Sequence, residues 1–210
     1  MRRNLPRSTV EPENKSEHVE RLKNGRRKST GSSIILGIDP GTLVTGYGII
    51  MRTRNTLQLL GCGTVRNPAN ASMPLRLKKI YKELRSIIET YHPDELAIES
   101  AFYGKNAQSA LKLGHARGVA ILAGVESEIP TTEYSPREVK KAVVGNGSAS
   151  KEQVQYMVKS MLHLSNAAML HDTSDAIAIA ICHLHRLVTP TSKHKDWKSF
   201  ISAHPERVRA

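Results

Sequence analysis

The segment IILGIDPGTLVTGYGII occupies residues 34–50, and it decides how the rest of the chain is interpreted. Residues 34–39 form an apolar run that ends in Asp39, and a Pro-Gly turn separates it from a second apolar run at 46–51. Apolar runs of this length, bounded by turn residues, are typical of buried strands. A carboxylate at the end of such a strand is costly unless something neutralises its charge. Asp39 is therefore the first candidate functional residue, with a simple turn-forming role before Pro40 as the alternative.

Outward from this segment, strands and helices alternate along the chain. A third strand is predicted at 56–66, and the short turns between the three strands favour an antiparallel meander. Further elements are predicted at 74–92 (helix), 95–102 (strand), 106–126 (helix), 129–134 (strand), after the capping residues Ser135 and Ser150 (two helices) and at 172–187 (helix). This order predicts an α/β fold with a mixed five-stranded sheet and helices on both faces. The same order is found in ribonuclease H-like domains.

Composition and charge indicate the organisation of the chain and the kind of partner it binds. The 210 residues include 31 Lys and Arg against 19 Asp and Glu, a formal net charge of +12, which favours a polyanionic partner, nucleic acid before an acidic membrane. Residues 1–32 are polar and basic and predict a disordered N-terminal arm, 33–188 a single folded domain, and 189–210 a basic C-terminal tail. Two cysteines without a CxxC pattern argue against a zinc finger or a disulfide scaffold and favour a reducing compartment.

Three further acids lie on otherwise apolar elements. Glu99 follows Leu-Ala-Ile within a predicted strand, where no turn explains an acid. Asp172 and Asp175 are three residues apart at the start of the last helix, so they share one helix face, although the helix dipole alone could account for them. Converging carboxylates repel one another, and a multivalent cation makes such an arrangement favourable. All-oxygen donors favour Mg²⁺, with Mn²⁺ as a substitute, and two such ions can support phosphodiester hydrolysis.

Four segments together make the sequence similar to a known family. They are IILGIDPGTLVTGYGII at 34–50, LAIESAFYGKNAQSALKLGHARGV at 96–119, YSPREVKKAVVGNGSASKEQVQYMV at 134–158 and HDTSDAIAIAICHLH at 171–185. In this order and spacing they resemble the RuvC-type Holliday-junction resolvases. The resemblance covers about residues 33–188 and leaves only the two tails outside.

The resemblance implies a structure-specific endonuclease that resolves four-way (Holliday) DNA junctions during homologous recombination and DNA repair. Symmetric paired nicks, made by two-metal-ion hydrolysis with Mg²⁺, would leave 5′-phosphate and 3′-hydroxyl ends. The implied catalytic and metal-binding residues are Asp39, Glu99, Asp172 and Asp175. The implied DNA contacts are Phe102, Lys140 and Lys151. Phe102 would stack on unpaired bases, with a role in the core as the alternative.

The resemblance also implies the partners of the chain and its location. It implies a homodimer, because two strands are cut symmetrically, and the helix at 106–126 would help to form it. It further implies association with the bacterial RuvA–RuvB branch-migration complex and a cytoplasmic, nucleoid-associated location. Some family members carry His at the position of Asp172, and in this chain His171 stands beside that position.

Three other functions are weaker alternatives. The GIDPGT sequence at 37–42 resembles the first phosphate loop of actin/Hsp70-like ATPases and sugar kinases, but the chain is too short for two such domains and shows no second glycine-rich nucleotide motif. A non-catalytic junction-binding protein would not need the four acids. Another nuclease of the same fold, such as an enzyme that cuts RNA hybrids, is disfavoured by the segment that contains Lys140 and Lys151.

Overall fold

The computed structural model describes residues 32–54, 56–100, 107–164 and 170–188. The strands are β1 (Ser33–Asp39), β2 (Val44–Arg52), β3 (Leu57–Arg66), β4 (Glu95–Glu99) and β5 (Thr131–Tyr134). The helices are α1 (Met73–Tyr91), α2 (Ala107–Val125), α3 (Pro136–Val144), α4 (Lys151–Met161) and α5 (His171–Val188). The predictions for Phe102, for the arm up to residue 31 and for the tail at 189–210 fall outside the described residues.

The strands form one mixed sheet in the order β3-β2-β1-β4-β5. The first three strands pair antiparallel, as the predicted meander requires, whereas β4 pairs parallel to β1 and β5 parallel to β4. The prediction of a mixed five-stranded sheet is confirmed. The strand ends differ from the prediction by one to three residues: β2 extends over Val44–Arg52 instead of 46–51, β4 ends at Glu99 rather than at 102, and β5 begins at Thr131 rather than at 129. Pro130 explains the later start of β5, because it has no N–H to donate to a neighbouring strand.

Helices cover both faces of the sheet, as predicted. Side chains alternate along β1, so that Ile34, Leu36 and Ile38 face one core and Ile35 faces the other. Helices α1 and α2 pack on the first core, and α3, α4 and α5 pack on the second. Asp39 has the same parity as Ile35, so it lies on the face that α5 covers. No helix in the described part of the chain is long and apolar enough to cross a membrane.

Glycines let α5 approach the backbone of β1 and β2 very closely. A Cβ added to Gly37 would lie 2.1 Å from the Ala176 carbonyl oxygen, and one added to Gly46 would lie 2.1 Å from the Asp172 carbonyl oxygen. These distances are far below van der Waals contact, so only glycine fits under the helix at both positions. The first turn of α5 is therefore held against the ends of β1 and β2.

The starts of α3 and α4 are fixed by the two predicted capping boxes. The Ser135 hydroxyl accepts from the Glu138 N–H, and the Glu138 carboxylate accepts from the Ser135 N–H at 2.8 Å. Ser150 makes the same pair of bonds with Gln153, so that Lys151 is the first residue of α4. Each box satisfies two otherwise unpaired N–H groups and sets where its helix begins.

The close approach of α5 to Gly37 and Gly46 generates a prediction about stability. Replacing Gly37 with Ala should lower the free energy of unfolding by about 1–3 kcal/mol, because the new methyl group pushes α5 off the sheet. Gly63→Ala in β3 is the matched control, since its Cβ would meet only the end of the Tyr47 side chain, which can move aside. Urea denaturation of both variants would measure the difference. An equal loss in the two variants would contradict the close approach of α5.

Candidate active site

Two carboxylates stand side by side where neighbouring parallel strands end. Asp39 is the last residue of β1, and Glu99 is the last residue of β4. Ile38 pairs with Ile98, so the two acids are level across the sheet. The alternation of side chains places Glu99 on the same face as Ala97, which belongs to the core beneath α5. Both acids therefore point toward the helix that carries the other two candidate acids.

Helices α3, α4 and α5 complete one pocket with these strand ends. Its polar lining comes from five of the seven residues expected to be functional: Asp39, Glu99, Lys140, Lys151 and Asp175. The Lys151 ammonium lies 3.1 Å from Asp175 Oδ2 and makes a hydrogen-bonded ion pair with it. Asp172 is half-buried one turn before Asp175 and acts on Asp39 through its charge, although it does not line the pocket.

The convergence of acids makes Asp39 hard to ionise. The pKa of Asp39 is raised from 3.8 to about 7, and burial is the largest cause. Repulsion from Glu99 adds to this rise in the pKa, as does weaker repulsion from Asp175 and Asp172, and the nearby Lys151 ammonium offsets only part of it. The site is therefore short of positive charge as it stands.

Glu99 and Lys151 respond to the same charges. Burial raises the pKa of Glu99, and the charge of Asp175 raises it further, whereas Lys151 and Lys140 lower it. The hydrogen bond to Asp175 raises the pKa of Lys151, so the ammonium remains charged at neutral pH. Within the described part of the chain, these two lysines thus supply positive charge to the acid cluster.

The model of the family described as "Crossover junction endodeoxyribonuclease RuvC" matches residues 35–183. The chain belongs to the RuvC family. The curated protein of that description from Salinibacter ruber is 43% identical, covering 83% of this chain and 98% of the relative. The one from Geobacter sulfurreducens is 51% identical, covering 73% and 93%. The solved structure of T. thermophilus RuvC in complex with Holliday junction substrate has a TM-score of 0.70 and 29% identity, covering 74% of this chain and 94% of that one. The predicted family and ribonuclease H-like fold class are confirmed.

Membership in the RuvC family implies the use of a divalent metal ion. The donor chemistry fits, because the acids of the cluster offer carboxylate oxygens, and burial together with their mutual repulsion raises the pKa of Asp39 and Glu99. Among the residues described here, however, no group of three or more His, Cys, Asp or Glu side chains is arranged so that it could hold an ion. Instead, Lys151 is the cation beside Asp175. The four-acid ligand set therefore stays a prediction, and His171 is an exposed residue at the start of α5.

The second core, beneath α5, contains a buried polar contact that the sequence analysis does not predict. The Tyr134 hydroxyl lies 2.8 Å from Nδ1 of His183, and Nε2 of the same ring lies 3.4 Å from Glu95 Oε2. Burial lowers the pKa of His183 despite the opposing effect of Glu95, so the ring is neutral at pH 7. The structure places His183 in the core, where only its position on the apolar face of the last helix could have signalled burial.

The raised pKa of Asp39 predicts how the metal-free protein responds to pH. Because the folded-state pKa is above the unfolded value, ionised Asp39 opposes folding increasingly as pH rises from about 4 to 7. With a chelator present, Asp39→Asn should therefore raise the melting temperature at pH 8, by a stabilisation of about 1–2 kcal/mol after allowance for solvent screening. The gain should shrink as pH falls toward 4. Thermal melts across this range test it, with Glu83→Gln on the exposed side of α1 as the control. A variant whose melting temperature at pH 8 is no higher than that of the parent would contradict the repulsion between Asp39 and the neighbouring acids.

Proposed function

We propose that this chain resolves four-way DNA junctions by cutting two strands symmetrically, as a crossover junction endodeoxyribonuclease of the RuvC family. The observation that carries the proposal is the pocket in which Asp39, Glu99 and Asp175 face Lys140 and Lys151. Acids alone would repel a phosphodiester backbone. Lysines at the same opening give a phosphate oxygen something to bind while the acids remain available for cations.

Asp39, Glu99, Asp172 and Asp175 are proposed to hold two Mg²⁺ ions, for which Mn²⁺ can substitute. When bound, such ions supply activation of water and stabilisation of the leaving oxygen, giving 5′-phosphate and 3′-hydroxyl ends. The chain's own part is to hold the carboxylates on three rigid elements, β1, β4 and α5. Lys151 pairs with Asp175 here, and the same ammonium can turn to a DNA phosphate once that carboxylate is otherwise neutralised. Phe102, three residues after Glu99, is proposed to stack on unpaired bases at the crossover.

The outer face of α2 supports a homodimer. Gly114 and Gly118 are exposed, and a Cβ at either would meet nothing within 4 Å. Three exposed apolar side chains continue the same stripe at helical spacing: Leu111, Leu122 and Val125. Small residues flanked by apolar ones allow close helix–helix contact, so we propose that a second copy packs there. A dimer would bring two pockets to one junction. We also propose that the chain associates with the RuvA–RuvB branch-migration complex and has a cytoplasmic, nucleoid-associated location.

The function is tested with a synthetic four-way junction and Mg²⁺. The chain should give paired, symmetric nicks in opposite strands. Asp39→Asn, Glu99→Gln, Asp172→Asn and Asp175→Asn should each reduce cleavage at least about a hundredfold, since each removes a metal ligand. Junction binding should be equal or tighter in each variant, because repulsion against phosphate falls. Glu133→Gln is the control, because Glu133 lies on β5, the strand at the edge of the sheet. Near-normal cleavage by one acid variant would remove that residue from the site, and a parent chain that leaves the junction intact would refute the function.

The two lysines give a separate prediction. Lys140→Ala and Lys151→Ala should each weaken junction binding and reduce the slope of log affinity against log salt by about one, because one phosphate contact is lost. Lys159→Ala, in the last turn of α4, is the matched control. Binding isotherms at several salt concentrations measure both quantities. Unchanged slopes for Lys140→Ala and Lys151→Ala would mean that these lysines interact with the acid cluster and make no contact with a DNA phosphate.

A further inference from the structure

A polar bridge connects the two ends of β4 beneath α5. At the end of the strand, the Ser100 N–H donates to the Tyr134 carbonyl oxygen at 2.8 Å, directly after Glu99. Tyr134 is paired with Glu99 across the sheet, and its hydroxyl reaches 2.8 Å from His183 Nδ1. The other ring nitrogen of His183 faces Glu95, at the start of β4. The bridge therefore joins β4, β5 and α5 within the second core.

His183 and Asp175 lie on the same helix, two turns apart. Glu95 and Glu99 lie on the same face of the same strand, four residues apart. Nε2 of His183 makes no hydrogen bond within the described residues, although Glu95 Oε2 lies 3.4 Å away, so the Tyr134 hydrogen bond and this charge contact are what relate α5 to the two ends of β4. A shift of α5 along β4 would separate His183 from both of its polar neighbours and would move Asp175 by the same amount.

The rest of the α5 interface contributes packing, and two other polar contacts of α5 join it to neighbouring helices. Its buried face is mostly alanine and isoleucine and packs closely over the glycines of β1 and β2. Asp175 pairs with Lys151 of α4, and His185 Nδ1 lies 3.1 Å from the Ala142 carbonyl oxygen of α3, so neither contact sets the register of α5 against β4. Apolar contacts are not directional, whereas a buried polar group loses its partner when the register changes. His183 is only 2% exposed, so water cannot replace a lost partner. Single buried polar residues fix helix register in other assemblies by this same physical effect.

We propose that His183 is a positioning residue: it fixes the register of α5 against β4 and thereby holds Asp172 and Asp175 where they can share cations with Asp39 and Glu99. The inference rests on the proposed function for the identity of the metal ligands. Tyr134 acts with His183, because its hydroxyl connects that ring to the strand position beside Glu99. His183 touches no reacting atom, so its effect is transmitted entirely through the placement of α5.

The test measures metal binding separately from cleavage. Mn²⁺ binding to the protein without DNA is followed by electron paramagnetic resonance, and the Mg²⁺ concentration for half-maximal junction cleavage is measured in parallel, both well below each variant's melting temperature. His183→Leu should weaken Mn²⁺ binding about tenfold and raise the Mg²⁺ requirement similarly, as loss of an outer-shell support does elsewhere. Tyr134→Phe, which removes one hydroxyl, should show a smaller change in the same direction. His183→Gln, which can still donate and accept, should recover most of the binding.

Ile181→Val is the matched control, because it trims a fully buried side chain of α5 without touching the polar bridge. It should lower the melting temperature and leave Mn²⁺ binding unchanged. If His183→Leu binds Mn²⁺ like the parent, or if Ile181→Val weakens binding equally, His183 is only a core residue and the proposal fails. A parent that binds Mn²⁺ with the expected order of variants but cuts no junction would overturn the proposed function and leave the positioning role standing. A parent that binds no Mn²⁺ would overturn both.

Discussion

The arrangement of the site depends on how closely α5 approaches the backbone of β1 and β2. Two of the four candidate acids are on this helix, and the other two are on strands beneath it. Side chains at Gly37 and Gly46 would lift the helix and separate the two pairs. The glycines thus influence the site indirectly, because they determine the distance across which the carboxylates interact.

That close approach is unfavourable for the folded protein in the absence of cations. It buries the carboxylates and places them within range of one another, so that burial first and mutual repulsion second raise the pKa of Asp39 and of Glu99. The hydrophobic contacts of the second core must hold α5 in place against this repulsion. Lys151 relieves part of it through its ion pair with Asp175, so a lysine at the first position of α4 matters to the acids themselves. Local conflicts of this kind concentrate where a protein binds or reacts.

Much of the fold could be predicted from the sequence, because its signals are local. Apolar runs and short turns predicted the meander, and Ser135 and Ser150 predicted two helix starts. The RuvC-type segments identified the family directly. The Lys151–Asp175 ion pair and the His183–Glu95 contact could not be predicted, since their partners are 24 and 88 residues apart and no spacing rule relates them.

The balance of charge in the chain follows from the same constraint. A formal charge of +12 attracts DNA over the whole surface, but it does not determine which phosphate reaches the acids. That selection needs positive groups fixed at the pocket itself. In the proposed function, Lys140 and Lys151 meet this need, because the capping boxes fix where α3 and α4 begin and thereby where both lysines stand at the pocket. A basic surface without these fixed starts would bind DNA without directing it. On that proposal, the helix caps contribute to catalysis through placement, as the glycines beneath α5 do.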